Sequence, residues 1–598
     1  MSRKLLLFAI SAIVMLYLNA CGGTPGGNNG GENGSLDKSI PTVSISGRNN
    51  TKFSDIRYST PSSAQAVESI NEALSKIDEN DTSYSDQLTA LRRAKEEYHR
   101  FISMFSYTKI KLSLNSKNQH FKNEYLKMLG EYHSVKESYE ELLSAAAVSK
   151  HCADFEKDEL GEGALNGYKS LQGLSEKAVE LLEDEEELIF KYSDLSEDNV
   201  FITHAGYYAS YRDTCKRLQE EYKNDPDRLN SELELVGTKY QARREELAFD
   251  IYVELLKVRK NLATELGYDG YEEYAYQSLG YSYSPSEMLT LVDNIEAFAL
   301  SIGDELNEVF RKFFYSTTPG SLNAKTCFES LYSVYSSINK ELATVFSYMY
   351  TRELYSVNAK EDGRYSGAYT LYIPTYDAPF LFVTTSGDIT DYLTLAGRFG
   401  SFVQMYHTGS SASMESSHFA GPGLALITLS ALENLVPLED YKHLLYSEYS
   451  AALYSVIYQG FTASLEHSLY GMDYKDISKE SVMSIIEEIA TKFGITDRSA
   501  FSLVSEGMIS NPFDDQSSCI STLSALELYF ISRDSLHESI DIYFELINLG
   551  GGDYFEELDL RGLSDPFDPE FLKSVMNEIY FEIKGYHYYK DGDSVGAV

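Results

Sequence analysis

The stretch PFLFVTTSGDITDYLTLAGRFGSFVQMYH, from Pro379 to His407, decides how this chain folds. Its first seven residues, Pro379 to Thr385, are β-branched, aromatic or apolar and are closed by Ser386-Gly387, the pattern of a short buried strand ended by a turn. From Asp388 onward the period changes. Thr390 or Asp391 can cap a helix, and Leu393, Leu395, Ala396, Phe399, Phe402 and Val403 supply an apolar surface at helical spacing. A strand therefore runs directly into a helix that ends near His407.

Around this stretch the pattern is helical. Apolar residues at helical spacing predict helices over Ser62–Ile77, Leu88–Phe105, Glu176–Tyr192 and Leu229–Leu266, the last closed by Gly267. Ser284-Pro285-Ser286-Glu287 reads as a capping box with proline in the first turn, opening a helix to about Phe314. Other β-like runs are few, so a mostly α protein with one small sheet is expected. The 598 residues leave room for about three or four domain-sized units. Apolar residues make up 43% and charged residues 24%, which excludes a mainly disordered or multi-span membrane chain. With 51 Lys and Arg against 91 Asp and Glu the formal charge is −40, so phosphate backbones are repelled and nucleic acid is excluded as a partner. Tyr is abundant, at 48, and can line a peptide-binding surface.

The N-terminus reads as an address. Arg3 and Lys4 precede a largely apolar run from Leu5 to Leu18, too short to span a bilayer and of the size of a secretory core segment. It ends in Leu18-Asn19-Ala20-Cys21, which resembles the lipobox of bacterial lipoproteins. That resemblance implies a signal peptide over 1–20, cleavage before Cys21, and lipid attached to the Cys21 thiol. A Gly-rich stretch from Gly22 to Gly34 opens a flexible tether assigned to 21–50; its 13 residues reach roughly 20 Å. The expected location is the outer face of a bacterial membrane. Cys152, Cys215, Cys327 and Cys519 form no CxxC pair and are expected as isolated buried thiols, although sequence does not decide their disulfide status.

Several landmarks occur in one order. Asn261 to Tyr274 reads NLATELGYDGYEEY, Gly363 to Tyr369 reads GRYSGAY, Asp391 to Ala396 reads DYLTLA, and Gly423 to Val436, Phe461 to Gly471 and Leu549 to Tyr554 follow. Together they resemble the oligoendopeptidase F and thimet-oligopeptidase-like zinc metallopeptidases, over about Leu229 to Ile583. The resemblance implies a mostly α, zincin-like oligopeptidase fold: two helical lobes around a deep cleft, with a small β-sheet next to the active-site helix. It assigns 51–228 to an N-terminal helical region and 229–590 to the oligopeptidase-like domain.

In that family DYLTLA leads into HExxH, whose two His bind zinc and whose Glu is the general base. Here the positions hold Gly397, Arg398 and Ser401. The third ligand, a Glu in the family, falls on Leu426, or on Ala425 if the stretch carries one inserted residue. The region matching the family's C-terminal Tyr/His stretch, Asn511 to Ala525, has neither residue. A catalytic zinc needs about three protein donors. Gly and Leu supply none, and Arg398 is a cation that cannot act as a base. The expectation is a family member that holds no metal or cofactor, zinc included, and has no catalytic residues. His407 and His418, with Glu415 three residues before the latter, fit no standard zinc spacing and read as polar residues on an exposed loop. The family's cleft pairs a peptide with the strand beside the active-site helix, so Phe382, Val383, Thr384, Thr385 and Gly387 are the peptide-binding candidates. A peptide or protein ligand is the expected partner. The alternative is an active oligoendopeptidase-like metallopeptidase with a relocated or non-standard metal site. Placing His, Glu, His and Glu at 397, 398, 401 and 426 is expected to restore metal binding.

Overall fold

A computed structural model describes residues 40–590 apart from 80–81, 162, 166–167, 169–174, 196, 304, 310–321, 410–411, 496–503 and 550–551. Cys21, the signal peptide and the Gly-rich stretch lie outside the described residues, as do Gly550 and Gly551 of the Leu549–Tyr554 landmark. In chain order the main elements begin with α1 (Ser63–Asp78), α2 (Tyr84–Leu114), α3 (Gln119–Val148), α4 (Glu176–Ser193), β1 (Phe201–His204), β2 (Tyr207–Ser210) and α5 (Tyr211–Glu221). Then come α6 (Pro226–Glu265), α7 (Tyr271–Leu279), α8 (Pro285–Ile302), α9 (Ala324–Ile338), α10 (Lys340–Thr351), β3 (Tyr355–Ala359), β4 (Ala368–Ile373) and β5 (Ala378–Thr385). The last are α11 (Asp391–Thr408), α12 (Met414–Leu432), α13 (Leu438–Gly471), α14 (Lys479–Lys492), α15 (Asp515–Asp534), α16 (Leu536–Ile547), α17 (Tyr554–Leu560) and α18 (Pro569–Lys590). No helix among the described residues is long and apolar enough to cross a membrane.

The described residues form two compact units, one drawn from 40–172, 308–457 and 517–590, the other from 173–307 and 458–516. The first carries a three-stranded sheet of order β3-β5-β4, with β3 parallel and β4 antiparallel to β5. Phe380, Leu381, Phe382 and Val383 are fully buried, as a strand covered on both faces requires. Helix α2 is tied to the loop before β4 by Tyr365 N–H donating to Ser113 O at 2.9 Å. Residues 43–53, part of which the sequence assigned to the tether, bond to the end of α10. Val43 N donates to Thr351 Oγ1 at 3.0 Å and Phe53 N to Arg352 O at 2.8 Å, and the Phe53 ring packs 4.5 Å from Phe380.

The second unit is organised around Arg259 of α6, fully buried. Its guanidinium donates to Glu185 at 2.7 Å, to Tyr470 Oη and Met508 O at 2.9 Å each, and to Ile509 O. A cation taken out of water is tolerated when its donors are met in this way. The β1–β2 hairpin turns on Ala205 and Gly206, both at positive φ (49° and 81°), which matches the twist of a two-residue hairpin. It is a second sheet where one was expected. Ile202, Leu218 and Val236 make a local core beneath it.

The expected capping box at Ser284 and Glu287 is present in full. Helix α8 is broken after Ile302, where Gly303 takes a positive φ of 51°; residues 305–309 are helical again, and the expected end near Phe314 lies outside the described residues. All four described cysteines are free. Cys327 and Cys519 are buried as expected, whereas Cys152 and Cys215 are only half-buried.

Candidate functional site

The strand-to-helix passage is built by two carboxylates. Asp391 opens α11 and accepts from Ser386 N at 3.0 Å and Gly387 N at 2.8 Å, while Gly387 turns the chain at φ 87°. Asp388 accepts from Thr390 N at 2.9 Å, so the cap is an aspartate turn before the helix, with no side-chain cap from Thr390 itself. On its far side α11 sets Phe399 against Tyr335 and Phe346, at ring distances of 5.1 and 4.9 Å.

The near side of α11 meets α12 through small residues. A Cβ built on Gly400 would stand 2.2 Å from the Ala420 carbonyl oxygen and 3.0 Å from Leu424 Cβ, so no side chain fits there. One built on Gly397 would lie 3.6 Å from Gly421 O and 3.9 Å from Ala425 Cβ; one on Gly421 would lie 3.2 Å from Gly397 O and 3.5 Å from Ser401 Oγ. Tyr543 of α16, fully buried, donates its hydroxyl to Ala420 O at 2.9 Å, with Gly400 O 3.4 Å away. Helix α12 carries Pro422 in its interior, flanked by Gly421 and Gly423. Its start is fixed by Ser416, which accepts from Gln404 Nε2 at 3.1 Å and donates to Leu546 O at 2.7 Å.

The positions read as a former metal site are therefore brought together in part. Gly397 and Ser401 face Gly421 and Ala425. Of the two readings for the third position, Ala425 is the one that meets Gly397; Leu426, beside it, is buried. Ser401 Oγ turns back toward Gly397 O at 3.5 Å. Arg398, half-buried, has its backbone carbonyl held by Thr370 Oγ1 of β4 at 2.8 Å, and desolvation lowers its guanidinium to about 10. The tight crossing was missed from sequence, although Gly397-x-x-Gly400-Ser401 opposite Ala420-Gly421 is a small-residue pattern that permits close helix approach.

Two expectations are corrected. Strand β5 is central: Phe382 pairs with Ser356 of β3 on one side and with Tyr369 of β4 on the other. Val383 pairs with Val357 and Ala368, and Thr384 N donates to Gly367 O at 3.2 Å. Side-on pairing along Phe382–Thr385 thus has no free edge, and Gly387 is spent on the Asp391 turn. The edge strand adjoining α11 is β4. Nor do the two histidines and Glu415 form an exposed loop. His407 sits in the last turn of α11, 3.2 Å from Glu341; Glu415 is buried in the first turn of α12, and burial raises its carboxyl; His418 Nδ1 lies 2.6 Å from Ser518 Oγ. Among the described residues no group of three or more His, Cys, Asp or Glu side chains is placed to hold a metal ion.

A small sheet feeding one helix, crossed at mid-length by a second, belongs to a helical peptidase-like fold. More particularly, the fold is that of oligoendopeptidase F. The chain is similar to a crystallised protein classed as an oligoendopeptidase F, at TM-score 0.68 and 21% identity over 89% of this chain and 99% of the other. It is similar to Pz peptidase A solved with an inhibitor, at 0.68 and 20% over 89% and 99%. A Bacillus anthracis structure classed as an oligoendopeptidase F gives 0.66 and 20% over 90% and 99%. No family profile matches the chain, and no curated protein sequence does.

Zinc, which this fold implies, does not fit the residues at the crossing. Ligand atoms must stand about 2.0–2.2 Å from the ion, with imidazole rings between ion and backbone. The Gly397 Cβ position and Ala425 Cβ, 3.9 Å apart, leave no space for a ring, an ion and a carboxylate. Gly397, Ala425 and Leu426 carry no donor atoms in their side chains, and Arg398 carries only N–H donors.

Proposed function

We propose that this chain is a catalytically inactive oligoendopeptidase F-like protein, held at the outer face of a bacterial membrane by lipid on Cys21, that binds a peptide or protein partner. The observation carrying this reading is the α11–α12 crossing, where Gly397, Ala425 and Leu426 offer no side-chain ligand atom, Ser401 offers only a hydroxyl, and a Cβ on Gly400 would meet the Ala420 carbonyl. General-base chemistry is absent there too, because a guanidinium has no lone pair to take a proton. The retained capability is strand addition, which needs only backbone N–H and C=O groups. Its place is β4, which pairs with β5 on one side and with no other described strand.

The test combines elemental analysis of the purified chain with a quenched fluorescent peptide library and a binding titration of the same peptides. Less than a tenth of an equivalent of zinc, no chelator-sensitive cleavage and saturable binding are expected. Stoichiometric zinc with chelator-sensitive turnover would overturn the reading in favour of a metallopeptidase with a relocated site.

A further inference from the structure

We propose that the β1–β2 hairpin is a lipid-contact element: its exposed aromatic face enters the headgroup layer of an anionic lipid surface, and Arg217 and Lys239 beside it meet lipid phosphate. This inference goes beyond peptide binding and rests on the membrane attachment proposed through Cys21.

The hairpin has two unlike faces. Ile202 and His204 of β1 are buried: Ile202 joins Leu218 and Val236 in the local core, and His204 Nε2 lies 3.1 Å from the Glu232 carboxylate of α6. Phe201 and Thr203 alternate with them and point outward. Pairing sets Tyr208 opposite Thr203, so Tyr208 shares the outer face, its ring 5.5 Å from that of Phe201. Phe201 is 43% exposed, and Tyr207 and Tyr208, directly after the Ala205-Gly206 turn, are 63% and 70% exposed. Leu235 of α6, also exposed, stands one turn before Lys239 on the same helix.

The rim of the patch says what covers it. Lys239 Nζ donates to Thr203 O at 3.2 Å. Arg217 donates to His204 O at 3.4 Å, and its guanidinium lies 4.2 Å over the Tyr207 ring. Two carbonyls of β1 are thus taken by cationic side chains, which disfavours a partner strand along them. An ammonium has three N–H donors and a guanidinium five, so one bonded carbonyl leaves donors for phosphate on each. A tyrosine ring with a polar tip suits the layer between water and acyl chains, where Lys and Arg keep their charge at the headgroups. In a chain of net charge −40, such a contact depends on cations standing at this one place. Three rings hold a large body weakly by themselves; an anchored chain keeps them at high effective concentration near the surface, which makes the contact count.

The chain has no Trp, so one introduced Trp reports from a single place. The full chain carrying Tyr208→Trp, purified from cell membranes, is reconstituted on vesicles of phosphatidylcholine with about a third phosphatidylglycerol, with and without brominated acyl chains. Tyr474→Trp is the control, at an exposed tyrosine between Asp473 and Lys475 in the same unit. Emission of the Tyr208→Trp chain is expected to move to the blue and to fall by roughly half on brominated vesicles, while that of Tyr474→Trp stays unchanged. Omitting phosphatidylglycerol should weaken the quenching; equal quenching without it would overturn the part given to Arg217 and Lys239. A chain that sediments with the vesicles yet shows no quenching at 208 would overturn the hairpin contact and leave the anchor intact. Equal quenching at 208 and 474 would overturn the hairpin as the contacting element. A chain that does not sediment with the vesicles would overturn the anchor, and the hairpin contact with it.

Discussion

At the scale of single residues, Gly400 and Gly397 form a matched pair. Both lie inside α11, so Ala at either gains about 1 kcal/mol of helix propensity. Their surroundings differ: the Gly400 Cβ would stand 2.2 Å from backbone oxygen, the Gly397 Cβ 3.6 Å. Gly400→Ala must therefore force the helices apart and should cost about 1–3 kcal/mol, whereas Gly397→Ala should be neutral or stabilising. Urea midpoints of the two variants check this, and equal midpoints would mean the crossing is looser than described. Glu448 of α13 makes a second residue-scale prediction. Burial alone pushes its carboxyl from 4.5 up to about 7. Because the folded state holds the proton more tightly, the associated stability is fully present below about pH 4.5 and is lost as pH rises through about 7. The loss is up to about 3 kcal/mol at alkaline pH. Glu448→Gln should raise the thermal midpoint at pH 8 and flatten its dependence between pH 5 and 8; an unchanged slope would show that Glu448 is hydrated.

At the scale of elements, the α11–α12 pair makes restoration of a metal site a matter of space as well as of ligands. The variant carrying Gly397→His, Arg398→Glu, Ser401→His and Leu426→Glu has the right chemistry on paper. Yet an imidazole at 397 would be driven into Gly421 O and Ala425, and residue 425 rather than 426 faces it. The expected outcome is no stoichiometric zinc by equilibrium dialysis, with a lowered thermal midpoint; one equivalent bound at unchanged stability would show that the helices can part. The same elements show what sequence could convey. Local signals came through well: the Ser284–Glu287 box, the period change at Asp388, and helices α1, α2, α4 and α6 all arise from contacts within a few residues. Strand order did not come through, because β5 gains a parallel neighbour from Tyr355–Ala359, a run that carries no pairing code of its own. Nor did the closeness of Gly397 to Gly421, since twenty-four residues separate two glycines that read as ordinary weak points until the helices are set side by side. The missing donors at Gly397, Arg398 and Ser401 were legible; the physical closure of the space was not.

At the scale of the whole molecule, net charge bears on the anchoring proposed for Cys21. A formal charge of −40 is repelled as a whole by anionic headgroups, so net charge would not supplement a lipid anchor. If the Gly-rich stretch from Gly22 to Gly34 serves as the expected tether, its 13 residues would reach roughly 20 Å. That would exceed the Debye length of about 8 Å at physiological ionic strength, so repulsion would be screened over such a tether. Under the anchoring proposed for Cys21, attachment is then chiefly apolar, worth about 0.8 kcal/mol per buried methylene. Two consequences follow for fractionation of cells expressing the full chain. The parent should stay with the membrane through a 0.5 M salt wash (about a 4–5 Å Debye length), because salt leaves acyl burial intact. Cys21→Ser should leave it at low and high salt alike. Retention of Cys21→Ser on membranes would place the anchor elsewhere, and release of the parent by salt alone would mean that a polar contact, rather than lipid, holds the body in place.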